Sequence, residues 1–116
     1  MKTYLAHHGF RSVRKGAVVM VVDSDSNRVR PLDPRFDLAT HSPTGFAWGY
    51  SGSGPAQLAL ALLADALDDD EQAVALHQMF KFREVARWPQ SEGWRRGADE
   101  IRAIAAELSA VRERRA

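Results

Sequence analysis

The chain is expected to fold as an α+β protein, with a small N-terminal antiparallel sheet packed on about three helices, in one domain over residues 1–116. Three observations predict this. A β-branched run, AVVMVV at 17–22, is followed by the turn signal DSDSN and the alternating NRVRPL. The stretch from Ala56 to Leu67 is apolar except for Gln57 and Asp65. Near the end, Ile101, Ile104, Leu108 and Val111 recur at steps of three, four and three, a helical seam.

Taken in order, Lys2–His7 reads as a short strand. Gly9 and Gly16 bracket a basic loop, FRSVRK. Ala17–Val22 reads as one buried strand and Val29–Leu32 as its hairpin partner, with Pro31 placing that partner at a sheet edge. Asp, Ser and Asn between them favour the turn because they bond their own backbone. Residues 33–54 form a long connection, rich in Pro, Asp, Ser, Thr and Gly, with room for one short strand at Gly45–Tyr50. Connections of that length are uncommon in compact domains and often carry function.

Pro55 suits the first position of the next helix, since its missing N–H would be unpaired there. That helix is apolar nearly all round, so it should be covered on more than one side, by the rest of the chain or by a second copy. Asp69 or Asp70 caps a second helix from about Glu71 to Arg87, with Ala75, Leu76, Met79, Phe82 and Ala86 as its inner stripe and Pro89 ending it. Its later part, Lys81–Trp88, has strand as the alternative reading. Trp94 anchors the entry to a last helix, about Ala98 to Arg114.

Composition narrows function more by exclusion than by assignment. Apolar residues make up 45% and charged residues 27%, which fits a globular chain. There is no cysteine, so disulfides, thiolate metal sites and a cysteine nucleophile are excluded, and a reducing, cytoplasmic setting is expected. No apolar run approaches the length of a membrane span, so no membrane association is expected. The net charge of +1 hides three zones. Residues 1–35 carry seven Lys/Arg against three Asp; residues 36–80 carry no Lys/Arg and six Asp/Glu; residues 81–116 carry nine against six. The zones either neutralise one another inside the fold or leave a basic face, and the first is favoured over a nucleic-acid surface.

The four histidines, His7, His8, His41 and His77, show no HxxxH or HExxH spacing, and no metal or cofactor is expected. Asp23-x-Asp25-x-Asn27 begins like a calcium loop but has Arg28 where glycine is required. No GxSxG elbow is present, and no nucleophile–base constellation emerges, so an enzyme is not expected.

The block HSPTGFAWGYSGSGPAQLALALL, residues 41–63, is the candidate site. It combines four glycines, three alternating aromatics and a helix start. Helix N-termini offer unpaired N–H groups to anions. Gly52 and Gly54 either admit a ligand close to the backbone or simply permit turns, and Ser51 or Ser53 is the alternative cap. The ligand- or partner-binding candidates are Trp48, Tyr50, Gly52, Ser53 and Gly54, with Arg11, Arg14 and Lys15 as the basic cluster nearest in kind. The glycine spacing matches neither the dinucleotide nor the phosphate-loop fingerprint.

The signature Phe-x-Trp-Gly-Tyr-x-Gly-Ser-Gly-Pro-Ala-Gln-Leu-Ala-Leu, from Phe46 to Leu60, resembles that of a small bacterial, plasmid and phage protein family, a domain of unknown function. The resemblance is specific over Ser42–Leu63 and looser over Phe80–Pro89 and Trp94–Ile101. It departs at Gly97, where the family expects Thr or Ser. It implies a mobile-element or accessory setting and supplies no catalytic residue. The expectation is a non-enzymatic binding protein that sequesters an anionic, nucleotide-like ligand or blocks a host protein complex, as a counter-defence protein would. The alternative is a homodimeric interaction protein with no small ligand.

Overall fold

The computed structural model describes residues 1–7, 11–12 and 16–115. The fold is α+β. Strand β1 is Lys2–Ala6, β2 is Arg11–Ser12, β3 is Gly16–Ala17, β4 is Met20–Asp23, β5 is Arg28–Pro31 and β6 is Trp94–Gly97. The helices are α1, Ser53–Leu67, α2, Asp70–Arg83, and α3, Ala98–Arg115, with a 3-10 turn at Val85–Arg87. Four strands form an antiparallel sheet in the order β5-β4-β1-β6, and β2 pairs with β3 in a separate ribbon.

The expected hairpin is present: Met20 faces Pro31 and Val22 faces Val29 across the turn. Pro31 ends the edge strand, where its missing N–H breaks no ladder. The run at 17–22 is not one strand, however. It breaks at Val18 and Val19, and its first residue pairs with β2 and bridges Phe46 instead. Val19 remains in the core and its carbonyl accepts from Leu32 N–H, so the break redirects the chain without exposing the apolar run. The sheet also holds a strand that periodicity missed. Trp94–Gly97 pairs with β1 rather than serving only as a helix entry. Arg95 and Arg96 obscure it as a strand, yet Trp94 alternates inward opposite Ala6.

Helix α1 begins two residues earlier than its proline suggests. Gly52 is the N-cap, no side chain caps the helix, and Pro55 stands third in it. Leu58, Leu60, Leu62 and Leu63 are fully buried. The covering comes from the same chain, chiefly α2, with α3 and the sheet side, so the apolar circumference needs no second copy.

Helix α2 is capped by Asp69, whose carboxylate accepts from Gln72 N–H. Its inner face differs from the expected stripe. Ala73, Leu76, His77, Phe80 and Lys81 are buried, whereas Phe82 is 58% exposed. The two stripes share Leu76, but the buried one is turned toward Phe80 because His77 and Lys81 lie on the core side. Residues 80–83 are helical, so the strand alternative is set aside. In α3 the seam packs inward through Ile101, Ala105 and Leu108, with Ile104 at its margin. Among the described residues, no helix is long and apolar enough to cross a membrane.

The charge zones meet inside the fold. Asp65, the one ionisable residue of α1, accepts from Lys2 Nζ at 2.8 Å, Tyr4 OH at 2.7 Å and Arg30 at 2.7 Å. Lys2 Nζ also donates to the Asp65 carbonyl. Arg35 bridges Asp37 and Asp70, tying the loop to the start of α2. Basic residues of the first third thus pair with acids of the middle third, which is the neutralising arrangement.

Burial opposes ionisation of Asp65, but the three donors outweigh it and hold its carboxyl below the usual carboxylate range. Its contribution to stability is therefore complete above its unfolded value of 3.8 and is lost as pH falls from there through the lower folded value. Asp65→Ala should cost about 1–3 kcal/mol at neutral pH, because it strands the buried Tyr4 hydroxyl. Urea melts at pH 7 and pH 3 check this: the difference between wild type and variant should shrink at the lower pH, and a pH-independent difference would refute it.

Candidate functional site

The long connection between β5 and α1 is held by one side chain. Gln57 lies in the first turns of α1 and is fully buried. Its Oε1 accepts from His41 N–H at 2.7 Å and Ser42 N–H at 3.2 Å. Its Nε2 donates to the Pro34 carbonyl at 2.6 Å and the Ala39 carbonyl at 3.0 Å. Two N–H groups on one side and two carbonyls on the other fix the amide orientation, since a flip would set donor against donor. The loop thereby satisfies backbone groups that would otherwise be buried without partners.

Beyond Ser42 the chain turns through Gly45 and Gly49, both at positive φ, 104° and 88°. Gly49 admits no side chain: a Cβ there would lie 2.6 Å from Gln90 Cα. Its N–H donates to the Val85 carbonyl at 3.1 Å, so the loop is clasped to the segment after α2. Trp48 is 3% exposed, and its indole N–H is shared between the Pro89 and Glu92 carbonyls, at 3.1 and 3.0 Å. Its ring meets Trp94 edge-on, and Trp94 in turn packs on Trp88, so all three tryptophans form one cluster.

These contacts leave a cleft of about 330 Å³ at the start of α1. Its polar walls are Ser42, Thr44, Tyr50, Ser53 and Gln90, and Trp48 and Phe46 add aromatic surface. No charged side chain among the described residues lines it. Of the sequence candidates, Trp48, Tyr50, Ser53 and Gly54 are on its wall. Gly52 is not; it is the N-cap and its carbonyl accepts from Ala56 N–H. Ser53 is the first helical residue rather than a cap.

The open question about the glycines resolves toward the chain's own packing. A side chain at Gly52 would strike the Tyr50 ring, and one at Gly54 would strike Ala47. Gly52 has φ −107°, which any residue adopts, so its constraint is space and not conformation. Tyr50 lies across the helix start and is 45% exposed.

A second, apolar cleft of about 300 Å³ adjoins the first and shares Ala17, Thr44, Gly45 and Phe46 with it. Pro31, Pro34, Pro43 and Phe36 shape it. Its contributors are scattered from Ala17 to Phe46, and no local motif announces it. Strand β3 reaches both clefts through Ala17. Arg11 stands in register with Ala17, the residue common to both clefts. Arg14 and Lys15 lie outside the described residues.

Sequence spacing also missed a histidine pair. His41, at the end of the Gln57-held loop, and His77, in α2, bring their Nε2 atoms to 2.9 Å. His77 Nδ1 donates to the Val74 carbonyl at 2.7 Å, which leaves its Nε2 as the acceptor. Burial, with His41 and Lys81 nearby, holds the His77 imidazole below the usual histidine range. Thirty-six residues separate the two, so no helical spacing rule reports them.

Gln57→Ala should cost about 3–5 kcal/mol, since four backbone groups lose their partner at once. Hydrogen exchange should show the loss of protection concentrated at His41 and Ser42. An unchanged melting temperature would refute the role given to this amide.

No curated protein and no solved structure matches the chain. A family model, described as a family of unknown function (DUF6166), matches residues 7–107, a span that takes in both clefts and the histidine pair. The chain therefore belongs to DUF6166, a family of unknown function.

Proposed function

We propose that the protein is a non-enzymatic binding protein that holds an anionic, nucleotide-like ligand in the cleft at the start of α1. In a mobile-element setting it would sequester such a ligand or, by the same surface, block a host complex. One observation carries the reading: a concave, uncharged polar cleft sits where an uncapped helix begins. Gly52 gives α1 no side-chain cap, and no acid stands in its first turn. The N–H groups of Ser53 and Gly54 therefore keep their partial positive charge for a ligand. Thr44, Ser42 and Gln90 supply neutral hydrogen-bonding groups, which fix orientation without adding charge. Tyr50 and Phe46 offer ring surface to a base. The adjoining apolar cleft gives a planar group a second place to rest.

Among the described residues, no carboxylate, His or Lys lines the cleft beside its hydroxyls, and those of Ser42 and Thr44 bond one another at 3.3 Å. The chemistry of such a wall is holding, not turnover.

The test is a titration with mono- and dinucleotides, and with inorganic phosphate as the control, following tryptophan fluorescence and the melting temperature. Trp48 lies on the cleft wall and is coupled to the other two tryptophans, so occupancy should change emission. A ligand that binds only the folded chain raises the melting temperature. Tyr50→Ala should weaken binding about tenfold, by loss of stacking worth roughly 1–3 kcal/mol. Ser53→Ala should weaken it only slightly, because the helix donors are backbone. Gly52→Val should weaken it by pushing the Tyr50 ring aside. If no anionic ligand raises the melting temperature, or if Tyr50→Ala binds as wild type does, the reading fails.

A further inference from the structure

The two histidines that meet behind the loop have a geometry that goes beyond a hydrogen bond. The two residues are held from outside the pair in different ways. His41 is positioned through its backbone N–H, which donates to the buried Gln57 Oε1 at 2.7 Å. His77 is oriented through its ring, whose Nδ1–H donates to the Val74 carbonyl at 2.7 Å. That outer bond to a carbonyl is the device by which proteins fix the tautomer of a metal-binding histidine and aim its Nε2 lone pair. The lone pair of His77 is aimed at His41 Nε2, 2.9 Å away, with the ring centroids 4.9 Å apart.

We propose that His41 and His77 form a two-imidazole chelate for a divalent copper or nickel ion, with both Nε2 atoms as ligands and water completing the coordination. Two nitrogens about 2.1 Å from one ion and at right angles to each other stand about 3.0 Å apart, whereas a tetrahedral ion spreads them to about 3.4 Å. The separation of 2.9 Å matches adjacent positions of a square or octahedral ion. Binding requires that His41 carry its proton on Nδ1 in place of Nε2, and that the rings turn by about 45° in all so that both lone pairs leave the N···N line and meet at the ion, a turn open to the half-buried His41. Gln78 stands next to the pair, its side-chain amide 3.4 Å from His77 Nε2, and its oxygen is a third donor if the amide turns over. His41 is only partly buried, so a hydrated ion reaches the pair from its side.

Two features set the strength of the site. Among the described residues, no third His, Cys, Asp or Glu joins the pair. Lys81, one turn beyond His77, brings a positive charge, with its ammonium seated over the Phe82 ring at 4.2 Å. A site of neutral nitrogens beside a cation takes the ion with the greatest affinity for imidazole. The expected order is copper above nickel, and both above manganese or magnesium.

The test is titration of the full chain with copper(II) chloride, read by electron paramagnetic resonance and by the melting temperature. One equivalent should give a spectrum with nitrogen splitting from two imidazoles, and the melting temperature should rise. His41→Ala and His77→Gln should each remove the two-nitrogen signal; because His41 is at the surface side, its variant is the one expected to keep the wild-type melting temperature without metal. A His7→Gln, His8→Gln double variant should keep the signal. The proposal is overturned if the signal survives in a folded His41→Ala chain, if it is lost in the double variant, or if copper binds without raising the melting temperature. Nucleotide titration is unaffected by these substitutions at the pair, so failure here is distinguishable from failure of the cleft reading.

Discussion

Everything in this fold is arranged around a helix that has no outside. Helix α1 buries twelve of its fifteen residues, so it cannot lie on a surface as an amphipathic helix does. The sheet, α2, α3 and the long loop each cover part of it. The helix is then the one element against which every other must register. Gln57 and Asp65 do that work at opposite ends. Gln57, near the N-terminus, accepts and donates to the loop, and Asp65, near the C-terminus, gathers Lys2, Tyr4 and Arg30 from the sheet. Apolar burial supplies most of the stability and has little directional preference. The two polar anchors supply the direction.

This division explains the candidate cleft. A loop of twenty-one residues between β5 and α1, residues 32–52, would ordinarily sample many conformations. Here its first half is fixed by the Gln57 amide, and its second half by Gly49 and the Trp48 indole against residues 85–92. Two clamps with a stretch between them leave a wall, and Tyr50 is the large aromatic side chain exposed on it. The cleft has hydrogen-bonded backbone where it meets the core and exposed side chains where it meets solvent.

Much of the fold was legible because its signals are local. The hairpin at 20–31, the apolar α1, the Asp69 cap and the α3 seam all follow from neighbouring residues. What escaped was set by partners far along the chain. Trp94–Gly97 is a strand because β1 offers it an edge, although Arg95 and Arg96 give it no strand-like composition. Phe82 looked like a core residue of α2, but the rotation of that helix is set by His77 meeting His41 and by Phe80 filling the core. Within the candidate site, Trp48, Tyr50, Ser53 and Gly54 were legible from the block that holds them. Ser42, Thr44 and Gln90 were not, since their place depends on loop closure. The glycines were legible as a cluster and ambiguous as to purpose.

That ambiguity has a physical resolution with a consequence for the site. Gly52 and Gly54 are small because the chain itself occupies the space beside them, through the Tyr50 ring and Ala47. If the cleft binds as proposed, a ligand approaching the helix start would meet the Tyr50 ring that lies over Gly52. An aromatic ring at the edge of a cleft can rotate about its side-chain bonds at little cost, whereas the backbone of Ala47 and Gly49 cannot yield. On the proposed reading, recognition would divide between a floor of backbone N–H groups with the buried Ser42 and the exposed Thr44 and Gln90, and the aromatic wall of Tyr50. On the proposed reading, such a wall would accept planar groups of several kinds by the same face, so selectivity would fall to the floor, and there to the hydrogen-bonding groups of Ser42, Thr44 and Gln90.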